Sequence, residues 1–372
     1  MHHFARRALI HWYDAGGPAS PSTDTTGVHR RREVHTLKHY LRIIILLLGL
    51  IWLLAWAAAG RFSDAPPAQE APQETPPPAG ESVPAGERDS ARSLRVLHGG
   101  EVTEMDMGTY LLGVLRAEMP ASFEEEALKA QAIAARTYTL YRMRGGENAN
   151  HPDADACDDI NCCKAYKSAE QAAADWGGMA IYYEEKLARA VSETDGEVIL
   201  YDGAPILAVF FSSADGSTQG AGDVWLNDLP YLQRVSSPET EDLVPNYYSV
   251  AAFSAAEFKE RFLAAYPDAD LSGSPDGWIT DLARNESGYV ASLTVGGVKL
   301  RGNDLRMLLS LRSPSFTVDC RDDTFTFHVT GYGHGVGMSQ YGANAMAREG
   351  YTAEEIVQHY FSGTTVGLDG GA

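Results

Sequence analysis

Residues Ile43 to Gly60 read IIILLLGLIWLLAWAAAG, eighteen positions without a charge. At about 1.5 Å of rise per residue, such a run is near the minimum for a helix crossing a bilayer core. A buried core helix would show a polar stripe, and this run has none. A signal peptide would have a shorter apolar stretch and a clearer cleavage site. Ala57, Ala58, Ala59 and Gly60 are small enough to keep cleavage open as the alternative. The reading taken is a single-pass membrane anchor over 43–60, with Trp52 and Trp56 at the outer interface. Residues 1–42 carry seven Lys and Arg against three acidic residues, a net +4. The positive-inside rule therefore predicts a cytoplasmic basic tail and an extracytoplasmic remainder.

That remainder holds 23 basic and 47 acidic residues, or −24, out of a whole-chain charge of −20. An acidic surface excludes a nucleic-acid role, which needs a basic face for phosphate. It also offers no simple attraction to anionic wall polymers, so recognition is expected to work by shape and hydrogen bonding. Residues 61–93 contain seven prolines, three of them consecutive at Pro76, Pro77 and Pro78. Such a segment buries too little apolar surface to fold and reads as an extended spacer. The globular part is then 94–372, long enough for a sizeable core. Four cysteines cannot make a disulfide-dense scaffold.

The strongest local pattern runs from Tyr110 to Met143, YLLGVLRAEMPASFEEEALKAQAIAARTYTLYRM. Its second half predicts a helix, with Ser122 as N-cap and Glu125 completing a capping box. Leu128, Ala132 and Ala135 form an apolar stripe whose small members allow close packing. Lys129 and Arg136, seven apart, share a face. Ahead of the helix, Glu118 stands among the apolar Val114, Leu115 and Met119. A carboxyl in such a setting is a candidate general acid, because burial raises its pKa. The alternative is a helix-flanking Glu in a structural salt bridge.

His151, Cys157, Cys162 and Cys163 lie in the string HPDADACDDINCC. An imidazole and thiolates at this density suit tetrahedral zinc. A disulfide from Cys157 to Cys163 or Cys162 satisfies the pattern equally in an oxidising compartment. Cys320 reads as a buried or free thiol.

Further along, 194–209 predicts short strands around turns at Asp195-Gly196 and Asp202-Gly203. A small-residue loop follows, FFSSADGSTQGAGDVW. Ser249 to Tyr266 predicts a helix with Phe253, Phe258 and Phe262 on its buried side. Trp278 to Leu300 predicts strands with a Gly296-Gly297 turn, and Asn303 to Leu311 a helix. A strand from Thr324 to Val329 leads into glycines at 331, 333, 335 and 337, which allow close backbone approach. They present His334, Gln340 and Tyr341 at the start of a helix from Ser339. Thr352 to Glu355 caps a last helix ending near Tyr360. Helices and strands in these proportions predict an α+β architecture.

Two blocks resemble the stage II sporulation protein D family and its relative, the amidase enhancer. They are AEMPASFEEEALKAQAIAARTY and GYGHGVGMSQYGANAMAREGYTAEEIVQHYFSGTTV, and the likeness spans about three quarters of the chain. The resemblance implies a lytic transglycosylase of peptidoglycan, cutting the MurNAc-β-1,4-GlcNAc bond of peptide-stripped glycan strands during engulfment in sporulation. It implies Glu118 as the catalytic acid, with Lys129 and Arg136 orienting it or binding the sugars' acyl groups. It implies a cleft lined by Ser212, Ser213, His334, Gln340 and Tyr341. A His that some relatives carry just before the serines is Phe211 here. It implies zinc held by His151, Cys157 and Cys163, and stage II sporulation proteins P and M as partners. One carboxyl suffices when the sugar's own 6-hydroxyl is the nucleophile, whereas hydrolysis needs a second, such as Asp215. The alternative is a non-catalytic glycan-binding module that enhances a cell-wall amidase.

Overall fold

The computed structural model of the chain describes residues 83–145, 150–160, 162–225 and 227–369. All belong to the second of two compact units, Met1–Thr75 and Pro76–Ala372. The basic tail, the 43–60 anchor and most of the spacer lie outside the described residues. Among the described residues, no helix is long and apolar enough to cross a membrane.

In chain order the elements are α1 (Glu87–Ser90), β1 (Ser93–His98), β2 (Glu101–Asp106), α2 (Met107–Glu118) and α3 (Glu125–Arg144). Then come β3 (Ala156–Cys157), α4 (Ala169–Trp176), α5 (Ala180–Glu193), β4 (Glu197–Tyr201), β5 (Ala204–Pro205), β6 (Phe210–Phe211) and α6 (Ala221–Val224). Next are β7 (Tyr248–Ser254), α7 (Ala255–Ala265), β8 (Ile279–Arg284), β9 (Val290–Val295), β10 (Val298–Leu300), α8 (Gly302–Leu309), β11 (Phe316–Arg321) and β12 (Thr324–Thr330). The chain closes with β13 (Met338–Ser339), α9 (Gln340–Arg348), α10 (Ala353–Tyr360) and β14 (Thr365–Leu368). The architecture is mixed α and β, as predicted.

Two hydrophobic cores organise these elements. The first is built around α3, whose Ala127, Ala130, Ala132, Ala134 and Ala135 are fully buried. The small side chains let α2, α5, α9 and α10 all approach this helix. Such a helix is buried nearly all round, not along one stripe. The second core lies within 253–329 and is filled by Phe253, Phe258, Phe262, Trp278, Phe316, Phe325 and Phe327. It sits among the antiparallel sheets β10-β9-β8 and β11-β12-β7. The predicted Gly296-Gly297 turn is present, both residues having positive φ.

Three expectations are corrected. Helix α3 starts at Glu125 with Glu124 as N-cap, not at Ser122. The Phe123 N–H bonds the Pro120 carbonyl in a turn, and Glu124 N–H is taken by Asn344 Oδ1 from α9, so a tertiary contact sets the entry. Residues 249–254 are strand, because β7 pairs along its whole length with β12, Phe253 facing Phe325. The helix predicted there begins only after the Ser254 capping box. Finally, part of the predicted spacer is folded: α1 precedes Leu94, and its Asp89 is 3% exposed.

Two short parallel pairings place the functional loops. β3 pairs with β1, Leu97 opposite Cys157, and β13 pairs with β6, Ser339 opposite Phe211. The glycine-rich run from 331 lies against residues 209–214. A Cβ at Gly337 would fall 2.2 Å from the Val209 carbonyl oxygen, and its φ of +78° is also one that glycine favours.

Candidate active site

Glu118 is the last residue of α2, which is capped at its start by the Asp106 side chain. Met119 then adopts an extended conformation and breaks the helix before Pro120. The half-buried Glu118 carboxylate accepts the Ala165 N–H at 3.2 Å. It also accepts the Gln340 side-chain amide, and the Lys164 ammonium acts on it electrostatically. Burial raises its pKa above the ordinary glutamate value, and these three groups pull it back without cancelling the rise. This is the direction a proton donor near neutral pH requires.

Gln340 starts α9, whose N-cap Ser339 accepts the Gly342 N–H. Its Nε2 lies 3.5 Å from Oε1 of Gln131, a fully buried residue of α3. The next residue, Tyr341, donates its backbone N–H to the Ser212 carbonyl at 3.0 Å, and its ring meets Phe123 edge-on. Ser213 is 2% exposed and bridges to Tyr332, so it contributes backbone and not a reachable hydroxyl.

Lys164 was not anticipated. Its Nζ lies 3.7 Å from the centre of the Phe210 ring and 4.1 Å from that of Tyr138. Burial pushes its pKa down to about 8, against the opposing pull of Glu118 and Cys163. His334 stands in the field of the same ammonium. Burial first, then Lys164 and Arg306, lower it to about 3, so the ring is neutral. Its Nδ1 accepts the Val336 N–H at 3.1 Å, and it also hydrogen-bonds the Phe210 backbone. Of the two roles open to His334, the geometry matches structural hydrogen bonding.

Lys129 and Arg136 are placed elsewhere, which corrects their expected role beside the acid. Arg136 is 1% exposed and grips Asp89 in a bidentate pair, with Nη2 2.6 Å from Oδ2. Its remaining donors go to the Glu197 and Val191 carbonyls. A guanidinium so enclosed cannot reach a sugar. Lys129 pairs with Glu126 and Glu193 at 2.8 and 2.6 Å. Seven-residue spacing did put the two on one side of α3, but that side faces α1 and α5 partners. Asp215 accepts from Ser315 Oγ at 2.5 Å and donates its N–H to the Tyr289 hydroxyl. Among the described residues it shares no hydrogen bond or ion pair with Glu118.

Another buried carboxylate, Glu239, ties the cleft loop to α9. It accepts the Ala214 N–H at 2.6 Å and the Ser237 hydroxyl at 2.5 Å, and it also bonds Ser339 Oγ. A Cβ on Gly342 would come within 2.6 Å of it and within 2.1 Å of the Tyr360 hydroxyl, so α9 can lie here only with glycine at that position. Apart from Ser237, its partners come from other stretches of the chain, and no local motif announces it.

The four residues His151, Cys157, Cys162 and Cys163 bring one ligand atom each to within 4.8 Å of one another. All four cysteines of the chain are unlinked, which removes the disulfide alternative from this structure. His151 Nδ1 lies 2.9 Å from the Ala154 carbonyl, which takes its proton and leaves Nε2 as the donor atom toward Cys163 Sγ at 3.2 Å. An imidazole so fixed beside thiols is a fitting donor set for zinc.

The profile of the stage II sporulation protein family (SpoIID) matches residues 98–201, which contain Glu118, Lys164 and the His/Cys cluster. Stage II sporulation protein D of Bacillus subtilis is 37% identical over 265 residues, covering 71% of this chain and 75% of that protein. Its counterpart in Bacillus amyloliquefaciens is 38% identical with the same coverage. The amidase enhancer of Bacillus subtilis is 27% identical over 307 residues, covering 69% of this chain and 40% of that protein. Identity at this level over 71% of the chain makes it a member of the stage II sporulation protein D family.

Proposed function

We propose that the protein is a membrane-anchored lytic transglycosylase acting on peptide-stripped peptidoglycan strands, with Glu118 as its acid and base. The observation that carries this reading is the carboxyl of Glu118, raised by burial and held by an N–H, an amide and a neighbouring ammonium. In its protonated form Glu118 gives its proton to the glycosidic oxygen as the C1–O4 bond breaks. The resulting carboxylate takes the proton of the muramoyl 6-hydroxyl as that oxygen bonds to C1. The products are a free 4-hydroxyl and a 1,6-anhydro end, and no water is consumed. Gln340 and Ala165 orient the carboxylate, and Lys164 stabilises it while it is charged. Tyr341 and the 212–213 backbone form the adjoining wall.

His151, Cys157 and Cys163 would hold zinc, which cross-links the segments bearing them. The anchor at 43–60, the spacer after it, and stage II sporulation proteins P and M as partners belong to the same reading. The likeness to the amidase enhancer favours a second one, a glycan-binding module that stimulates an amidase and has no use for a raised carboxyl.

The test incubates the full-length chain, and its Glu118→Gln variant, with purified peptide-free glycan strands. Mass spectrometry of the products should find 1,6-anhydro ends that vanish in the variant. Reducing ends that are all hydrated would replace the internal nucleophile with water. Intact strands bound equally by both proteins, with stimulation of an added amidase, would establish the second reading.

A further inference from the structure

We propose that Cys162 is the fourth ligand of the metal site, making it a closed Cys3His centre with no position for water or substrate. This rests on the reading of the cluster as a zinc site and departs from the three-ligand set that spacing and resemblance imply. The Cys162 and Cys163 N–H groups both bond the Asp159 carbonyl, at 3.0 and 2.8 Å. That tight turn lets consecutive cysteines point at one centre, with their sulfurs 4.0 Å apart. A tetrahedron with Zn–S of about 2.3 Å has S···S edges of about 3.8 Å and N···S edges of about 3.6 Å. The 4.0 Å and 3.2 Å separations found here lie within about 0.4 Å of those edges. The Asn150 amide donates to Cys162 Sγ at 3.5 Å, an outer hydrogen bond suited to a thiolate. Competing oxygen ligands are engaged: Asp155 pairs with Arg95, and Asp158 with His98 and the Gly99 N–H.

A closed centre cannot polarise a sugar oxygen, since a catalytic zinc keeps a position open. Its effect is on the chain. Cys157 sits on β3, against β1, and Cys163 directly precedes the Lys164 and Ala165 that meet Glu118. The metal thus fastens the segment that presents the N–H to the acid.

Two measurements test this on the full-length chain, neither depending on activity. The first is mass-spectrometric mapping of iodoacetamide labelling with Zn²⁺ bound and after chelation. Cys157, Cys162 and Cys163 should all be protected by the metal and all labelled without it. The second is the Co²⁺-substituted spectrum, whose thiolate-to-metal band should weaken by about one third in Cys162→Ser as three thiolates become two. Labelling of Cys162 in the Zn²⁺-bound chain, with Cys157 and Cys163 protected, overturns the fourth ligand and leaves zinc in place. So does an unchanged cobalt spectrum in the variant. A chain that binds neither ion and protects no cysteine overturns the zinc reading itself.

Discussion

The two cores solve the same packing problem with different materials. In the 253–329 core, aromatic rings do the filling: Phe258 stacks on Phe325 with centroids 4.5 Å apart, and on Phe262 and Trp278. The core around α3 packs aliphatic and aromatic side chains against that helix's alanines and encloses Gln131, Arg136, Asn344, Gln340 and Glu239. A buried polar group costs free energy unless its partners are correctly placed. The second core therefore needs chiefly the right volume, while the first needs particular atoms at particular distances. The proposed chemistry lies beside the first, and the comparison yields predictions on both sides.

The largest expected effect is on turnover, at Glu118. Glu118→Gln keeps the shape and should lower cleavage by about 10²–10⁴-fold, the usual contribution of a general acid. Thermal unfolding should show the fold intact. Next comes Arg136→Met, which strands Asp89 as an unpaired buried charge. Urea denaturation should show a loss of about 3–5 kcal/mol, largely recovered when Asp89→Leu is added. Phe258→Ala in the other core should cost about 3–5 kcal/mol by cavity formation. Activity per folded molecule should stay unchanged there; a specific loss of turnover would erase the division of labour between the cores.

A smaller effect is expected from Gln340→Ala, which removes a hydrogen bond to the carboxylate. Turnover should fall while the unfolding midpoint moves little; full activity would take Gln340 out of the site. The smallest effect is a displacement of the pH profile. On the proposed mechanism activity requires protonated Glu118, so it should decline as pH rises through the raised pKa. Lys164 pulls that pKa down, and Lys164→Met should move the declining limb to higher pH. The stability linkage has the same sign: a carboxyl raised in the folded state stabilises most below its unfolded pKa. That stability is lost as pH climbs through the folded value, and Glu118→Gln should abolish this dependence.

Features encoded by neighbours in sequence were legible. The Thr352 capping box, the Gly296-Gly297 turn and the burial of Phe258 and Phe262 each depend on residues within a few positions. The apolar setting of Glu118 was legible because its neighbours are local, whereas its role as acid came from the resemblance. The failures are tertiary. Ser122 has the composition of a cap, yet Asn344, 220 positions from Glu124, decides where α3 begins. Residues 249–254 have no strong period of their own and follow the strand that β12 offers. Lys129 and Arg136 lie where helical spacing predicts, but spacing does not say what the face meets. Lys164 gains its meaning from two rings and a carboxylate contributed by other segments.

The contacts of Glu118 also impose an order of assembly. Ala165 lies 47 positions downstream of the acid, and the docking of Gln340 brings in a residue more than 200 positions later. Contacts of such separation form late, after the loops between them have closed. Until those segments dock, the carboxylate lacks the Ala165 and Gln340 partners that hold it. On the proposed function, a chain that ends before residue 340 lacks part of the setting of its acid. The surroundings of Glu118 are complete only once a helix from near the far end of the chain has joined the fold.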